Sequence, residues 1–231
     1  MKTADELRTV SSMASEIRKL EAQLWHIAVT QHVKIVSIVS PERAEGKTTT
    51  AAYLATALAM HNDRRILAVD ADFRCPKLAT HFGVERSLGL ADVIRGECDI
   101  SQAIVPTSLP GLDVICPSAE FADPELLINT AKLRDIFEVL RPSYDLILVD
   151  TPAMLPVFDA AATVPLADGV LLIAMAGRTN RHHLGRARDL CLRLGTKILG
   201  LVVCNIQEAA PEYLTTSSYT GAGGQESANV V

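Results

Sequence analysis

The sequence predicts a doubly wound α/β fold with a mostly parallel sheet, and three observations carry that prediction. Near-continuous apolar runs of five to seven residues recur along the chain, separated by segments with helical spacing. One apolar run turns through Glu45-Gly46-Lys47-Thr48-Thr49-Thr50 directly into a helix-like run starting at Ala51. Two further apolar runs end in an acid, at Asp70 and Asp150. Strands that are apolar throughout are buried on both faces, which calls for a parallel sheet with a helical layer on each side. In such sheets ligands sit at the carboxyl ends of the strands, where the Gly-Lys-Thr turn and the acids fall.

The elements follow in order. Residues 3–28 read as a helix: Val10, Met13, Ile17, Leu20, Leu24 and Ile27 alternate spacings of three and four and form one apolar seam. This seam serves packing on the helix's own domain or contact with another subunit. Lys34–Val39 is the first strand and Thr48–His61 the next helix. Arg65–Asp70, Leu112–Cys116, Tyr144–Asp150, Gly169–Ala174 and Lys197–Cys204 read as further strands, with a helix over Arg181–Leu194. Asp123-Pro124-Glu125 is expected to open a helix running to about Leu140, with Asp at the cap and Pro in the first turn. From Gln207 the apolar period fades into Ser, Thr and Gly, the composition of a flexible tail. The expected organisation is an N-terminal helix (1–30), one nucleotide-binding domain (31–206) and a tail (207–231) holding Tyr213 and Tyr219.

Bulk composition narrows the functional classes. The 231 residues are 48% apolar, ample for one large core, and the net charge of −5 gives no basis for a nucleic-acid partner. Cys75, Cys98, Cys116, Cys191 and Cys204 lack paired spacing and read as reduced thiols of a cytosolic protein without a metal–cysteine site. No apolar run approaches the roughly 20 residues that span a bilayer. Membrane contact is therefore expected through a surface or a partner.

The Gly-Lys-Thr turn is a phosphate cradle. A helix start offers free backbone N–H groups and a partial positive charge. Lys47 can reach the outer phosphates of ATP or GTP, and the Thr48 hydroxyl can hold Mg²⁺. The cradle departs from the usual pattern: Pro41 stands where its first Gly is common and Ala44 where a second is, so Ala44 needs an ordinary φ or tolerates strain. Asp70 and Asp72 leave the second strand together and are expected beside the phosphate loop, with Arg74 close behind, and Asp150 is followed by Thr151-Pro152. An acid at the end of an apolar strand is the usual second anchor for Mg²⁺ beside such a loop. His182 and His183 lie among Arg178, Arg181, Arg186, Arg188 and Arg193, which reads as a solvated helix face or as one turned to a membrane or a partner.

The ordered combination resembles the bacterial tyrosine kinases (BY-kinases) of capsule and exopolysaccharide export, which use a P-loop NTPase fold related to the partitioning ATPases of the SIMIBI class. The matching stretches are Ser40–Thr49, Asp70-Ala71-Asp72-Phe73-Arg74-Cys75-Pro76 and Asp150-Thr151-Pro152. Gly89–Ile94, Asp123–Leu127, Leu155–Ala160, Gly169–Ile173 and Gly200–Asn205 complete the order. The resemblance implies that ATP is bound by Glu45, Gly46, Lys47, Thr48, Thr49 and Asn205, and Mg²⁺ by Thr48, Asp72 and Asp150. It implies catalytic roles for Lys47, Asp70, Asp72 and Asp150, with Asp70 accepting the tyrosine hydroxyl proton and Tyr213 and Tyr219 as phospho-acceptors. It also implies a separate membrane-spanning activator, a chain-length regulator that recruits the protein to the inner face of the plasma membrane, and a homo-oligomer. The family's Glu-x-x-Arg-x-x-Arg helix motif is reduced here to Glu16, Lys19 and Ala22, and its tyrosine cluster to two residues. Two alternatives stand beside the kinase: a partitioning-type ATPase switch, whose motif carries Lys where this chain has Glu42, and a non-catalytic nucleotide-binding scaffold of a polysaccharide assembly complex.

Overall fold

The computed structural model describes residues 4–61, 63–85, 87–121, 123–124, 129–155 and 159–206, with side chains from residue 14 onward except at 159 and 161. Helix α1 (Ala4–Gln31) leads into strand β1 (Ile35–Val39), α2 (Lys47–Ala59) and β2 (Ile66–Asp70). Three short helices follow, α3 (Leu78–Phe82), α4 (Leu90–Arg95) and α5 (Ile100–Ala103), then β3 (Val105–Pro106) and β4 (Leu112–Ile115). The rest is α6 (Thr130–Leu140), β5 (Leu146–Asp150), α7 (Asp159–Thr163), β6 (Gly169–Met175), α8 (Arg181–Arg193) and β7 (Ile198–Cys204).

The strands form one sheet in the order β3-β4-β2-β5-β1-β6-β7. All pairings are parallel except the antiparallel edge pair β3–β4. Every residue of β1, β2 and β5 is buried, which explains their unbroken apolar runs. Alternation sends Val36, Ile38, Ile66, Ala68, Leu146 and Leu148 to the face covered by α1 and α2, where Leu24, Leu54 and Leu58 meet them. Ile35, Leu67, Val69, Ile147 and Val149 point to the other face, against Leu90 and Ile94 of α4 and Leu133 and Phe137 of α6. A third cluster packs Val170 and Leu172 of β6 on Ala187 and Cys191 of α8.

The second half of α1 packs on its own domain. Leu24 and Ala28 are buried with α2 beneath them, and Leu20, Trp25 and Ile27 border the same core. Glu21 is buried and paired to Arg64, with His61 Nε2 3.6 Å away, and the Arg64 guanidinium lies 3.8 Å above the Trp25 ring. The Lys19–Glu16 pair of the shortened family motif, at 2.7 Å, is exposed on both sides.

One boundary lies well away from expectation. Helix α6 starts at Thr130, not near Asp123, because the Asn129 side chain accepts the N–H groups of Ala131 and Lys132 at 3.1 Å each and so supplies the cap. Residues 125–128 between the two positions lie outside the described residues, as do the tail 207–231 and positions 156–158 of one matching stretch. The two-residue β3 and the helices α3 to α5, none longer than six residues, had no readable period.

Glu21→Ala leaves Arg64 charged and nearly buried, so it is expected to destabilise the fold by about 3 kcal/mol. Lys19→Ala, at an exposed pair, changes stability by about 0.5 kcal/mol at most. Urea unfolding of the two variants checks the contrast, and equal losses would contradict the docking of α1 through Glu21.

Candidate active site

The sheet order sets the site. Strand β5 lies between β1 and β2, so Asp150 is register partner to Ile38 on one side and to Asp70 on the other. The two acids thus stand side by side, and Asp150, rather than Asp70, is next to the loop that leaves β1. The turn after β5 is fastened to that loop: Thr151 Oγ1 donates to Ile38 O at 2.8 Å, and the N–H groups of Met154 and Leu155 donate to Ser40 O and Pro41 O at 2.9 and 3.1 Å.

Thr48, in the first turn of α2, donates its hydroxyl to Asp150 Oδ2 at 2.6 Å. The other oxygen, Asp150 Oδ1, is buried with no hydrogen-bond partner among the described residues. Lys47 is buried, and its ammonium turns back into the loop, donating to Ser40 Oγ at 2.9 Å and to Glu42 O at 3.4 Å. Asp70 is fully buried. Its Oδ1 accepts the Asp72 N–H at 3.1 Å, and its Oδ2 accepts the N–H groups of Lys77 and Leu78 at 2.8 and 3.0 Å. Asp72 is part-buried and accepts the Cys75 N–H at 3.1 Å.

This arrangement holds more negative charge than it can solvate. Burial, reinforced by the charge of Asp70, raises the Asp150 carboxyl well above the usual carboxylate range, against the Thr48 hydrogen bond and the charge of Lys47. Burial raises Asp70 to about 7, against the three backbone N–H bonds. Burial lowers Lys47, while Asp150, Asp72 and Glu45 hold it up. Among the described residues no cluster of three or more His, Cys, Asp or Glu is placed to hold a metal by itself. A hydroxyl, an orphaned carboxylate oxygen and a nearby second acid do fit Mg²⁺, which takes few protein ligands and completes its shell with water and phosphate oxygens.

The loop carries strain and a brace. Gly46 has φ +96° and Ala44 φ +58°, so Ala44 occupies the left-handed region without glycine's freedom. The Glu45 side chain is fully buried. One oxygen accepts the Thr179 hydroxyl at 2.5 Å, and the other accepts the Glu42 N–H at 2.8 Å. Glu45 is therefore a brace between the loop and the β6–α8 turn, and only its backbone is left to meet a phosphate. Glu42 pairs with His183 of α8, so that histidine is not simply on a solvated face. Thr49 is exposed, and Asn205, with φ +59°, follows directly on β7. Cys204 Sγ would stand 3.3 Å from a Cβ added at Gly46, which places the end of β7 against the cradle.

The structure thus brings together Gly46, Lys47, Thr48, Asp70, Asp72 and Asp150, with Asn205 near the loop; Tyr213 and Tyr219 lie outside the described residues. Ser40, Thr151, Thr179 and His183 were not singled out for this site. Ser40 and Thr151 stand inside matched stretches, whereas nothing in the local sequence marks Thr179 or His183 as partners of residues more than 130 positions away.

Known proteins of similar sequence share this fold. The sequence profile of the AAA domain family AAA_31 matches residues 33–179. The chain is 30% identical over 187 residues to the tyrosine-protein kinase CpsD of Streptococcus agalactiae, covering 80% of this chain and 81% of that one. The kinase domain of the Escherichia coli tyrosine kinase ETK superposes with a TM-score of 0.76 at 27% identity, over 82% of this chain and 74% of that one. The septum site-determining protein MinD of Pyrococcus horikoshii, solved with Mg-ADP, superposes with a TM-score of 0.66 at 27% identity, over 74% and 69%.

Two outcomes follow from the site itself. Ala44→Gly relieves about 1 kcal/mol of left-handed strain and returns much of it through a looser unfolded chain, so it is expected to be neutral to mildly stabilising. Ala44→Val is expected to lose about 2 kcal/mol, and equal stability of both variants would contradict the positive φ. Asp70 and Asp150 bind protons more tightly folded than unfolded, so stability falls as pH rises from the ordinary carboxylate value of 3.8 towards about 7. Asp150→Asn is expected to flatten that decline in thermal or urea unfolding, and a slope unchanged by the substitution would contradict it.

Proposed function

We propose that this chain, which belongs to the AAA domain family and to the tyrosine-protein kinases, is an ATP-dependent protein-tyrosine autokinase that regulates capsular or exopolysaccharide polymerisation and export. The observation that carries the reading is the convergence of Lys47, Thr48, Asp150 and Asp70 at the ends of three adjacent strands, with one buried carboxylate oxygen unanswered.

In this reading Gly46, Lys47, Thr48 and Thr49 cradle the phosphates of ATP, with Asn205 near the base. Lys47 turns its ammonium from Ser40 to the outer phosphates. Thr48, Asp150 and Asp72 hold Mg²⁺, whose chemistry is to neutralise charge on the phosphate oxygens. The tyrosine oxygen attacks the γ-phosphorus, the bond from that phosphorus to the bridging oxygen of ADP breaks, and Asp70 takes the hydroxyl proton. A carboxylate raised to about 7 is suited to that step. Phosphoryl transfer needs alignment and charge neutralisation more than covalent help, which suits a site of fixed charges and backbone donors.

Tyr213 and Tyr219 are the proposed acceptors. Among the described residues no helix is long and apolar enough to cross a membrane. Recruitment to the inner face of the membrane is assigned to a separate membrane-spanning activator. The likeness to MinD supports the partitioning-type switch as a second reading. The acid at position 42, tied to His183, weighs against it, because that motif carries Lys there.

Purified protein with Mg·ATP and the cytoplasmic segment of the activator is expected to gain phosphotyrosine. Lys47→Met lowers the rate at least a hundredfold. Persistent labelling in that variant would remove Lys47 from the mechanism, and steady ATP hydrolysis without phosphotyrosine would favour the switch.

A further inference from the structure

An open cleft of about 450 Å³ lies on the outer side of the phosphate loop, lined by Glu42, Arg43, Leu155, Arg178, His183 and Arg186. Three segments build it. The loop supplies Glu42 and Arg43, and the turn after β5 supplies Leu155, held by its N–H bond to Pro41 O at 3.1 Å. The β6–α8 turn and α8 supply the rest, with Arg178 Nη2 3.5 Å from Arg43 O. Glu42 is the one acid of the lining, and its carboxylate is engaged by His183. The three arginines are exposed and have no carboxylate partner among the described residues. The cleft therefore carries surplus positive charge that nothing described neutralises.

It also adjoins the reacting site. Glu42, on its rim, has its carbonyl oxygen 3.4 Å from Lys47 Nζ. A peptide lying along the cleft therefore runs beside the loop that carries Lys47. The tail's sequence is complementary in charge. Residues 207–231 hold Glu208, Glu212 and Glu226 and no Lys, Arg or His. The two tyrosines differ: Tyr213 directly follows Glu212, whereas Tyr219 lies between Ser218 and Thr220.

We propose that this cleft is a specificity subsite for a carboxylate directly preceding the acceptor tyrosine, and that Glu212 thereby directs phosphorylation to Tyr213 over Tyr219. The proposal rests on the kinase reading. Arg178 and Arg186 supply charge-assisted donors to the Glu side chain, and Leu155 faces its aliphatic stem.

Two peptides spanning residues 207–219, one natural and one with Glu212→Lys, test it against the full chain with Mg·ATP. The natural peptide is expected to show a KM about tenfold lower, the effect of one charge-assisted contact, with kcat little changed. In the Arg178→Glu/Arg186→Glu protein the preference is expected to reverse towards the lysine peptide. Mapping of the protein's own phosphotyrosine is expected to find Tyr213 before Tyr219, and Glu212→Lys to even them. Equal KM for the two peptides, or a preference for glutamate that survives charge reversal, overturns the subsite. Fluorescence anisotropy of the same peptides with Mg·ADP reads the cleft without catalysis, with the same reversal expected and equal binding again overturning it. That binding preference in a protein that forms no phosphotyrosine would count against the kinase reading and not against the cleft.

Discussion

The site depends on a pairing register: Asp150 stands between Ile38 and Asp70 on three adjacent, wholly buried strands. That register places two carboxylates side by side in a low-dielectric interior, one strand from a helix start that carries Thr48 and Lys47. Like charges so placed repel, and the protein answers locally: backbone N–H groups for Asp70, a hydroxyl and the Lys47 charge for Asp150. The answer is incomplete, because Asp150 Oδ1 has no hydrogen-bond partner among the described residues. A buried carboxylate oxygen left unpaired is costly, and a divalent cation with a polyphosphate would balance it. The arrangement is therefore poised for a charged ligand rather than for stability.

The loop that receives this ligand is held from outside. Glu45 is sealed between Thr179 and the Glu42 N–H, and Glu42 reaches His183. These contacts tie residues 42–45 to the β6–α8 turn and hold Ala44 in a backbone region where glycine is the ordinary choice. Strain of this kind persists only where surrounding structure over-determines it. Glu42 and His183 of these contacts also line the basic cleft, so the bracing of the phosphate loop and the surface suited to an acidic peptide share residues.

Much of this was legible in the sequence because burial writes a simple pattern. Residues packed on both faces must be apolar throughout, so β1, β2 and β5 stood out, and a strand ending in Asp stood out against them. Gly46-Lys47-Thr48 was legible because the chemistry of the turn is local. The order of the strands was not, and with it went the finding that Asp150 rather than Asp70 adjoins the loop. Thr179 and His183 were invisible for the same reason: their partners are brought near only by the fold. The start of α6 was misplaced because Asp123-Pro124 and Asn129 both offer capping chemistry, and local sequence does not say which cap is used. The packing of the second half of α1 on its own domain shows only through Glu21, Trp25 and Arg64, since an apolar seam fits either partner.

The unpartnered Asp150 oxygen and the retracted Lys47 together form a site suited to a magnesium–nucleotide complex. Isothermal titration of the folded protein with ATP, in the presence of Mg²⁺ and then of EDTA, tests it most directly. Saturable binding is expected with Mg²⁺ present and at least tenfold weaker binding without it, roughly 1.4 kcal/mol or more. Correctly folded protein that ignores Mg·ATP at millimolar concentration, or binds ATP equally well without the metal, would contradict it.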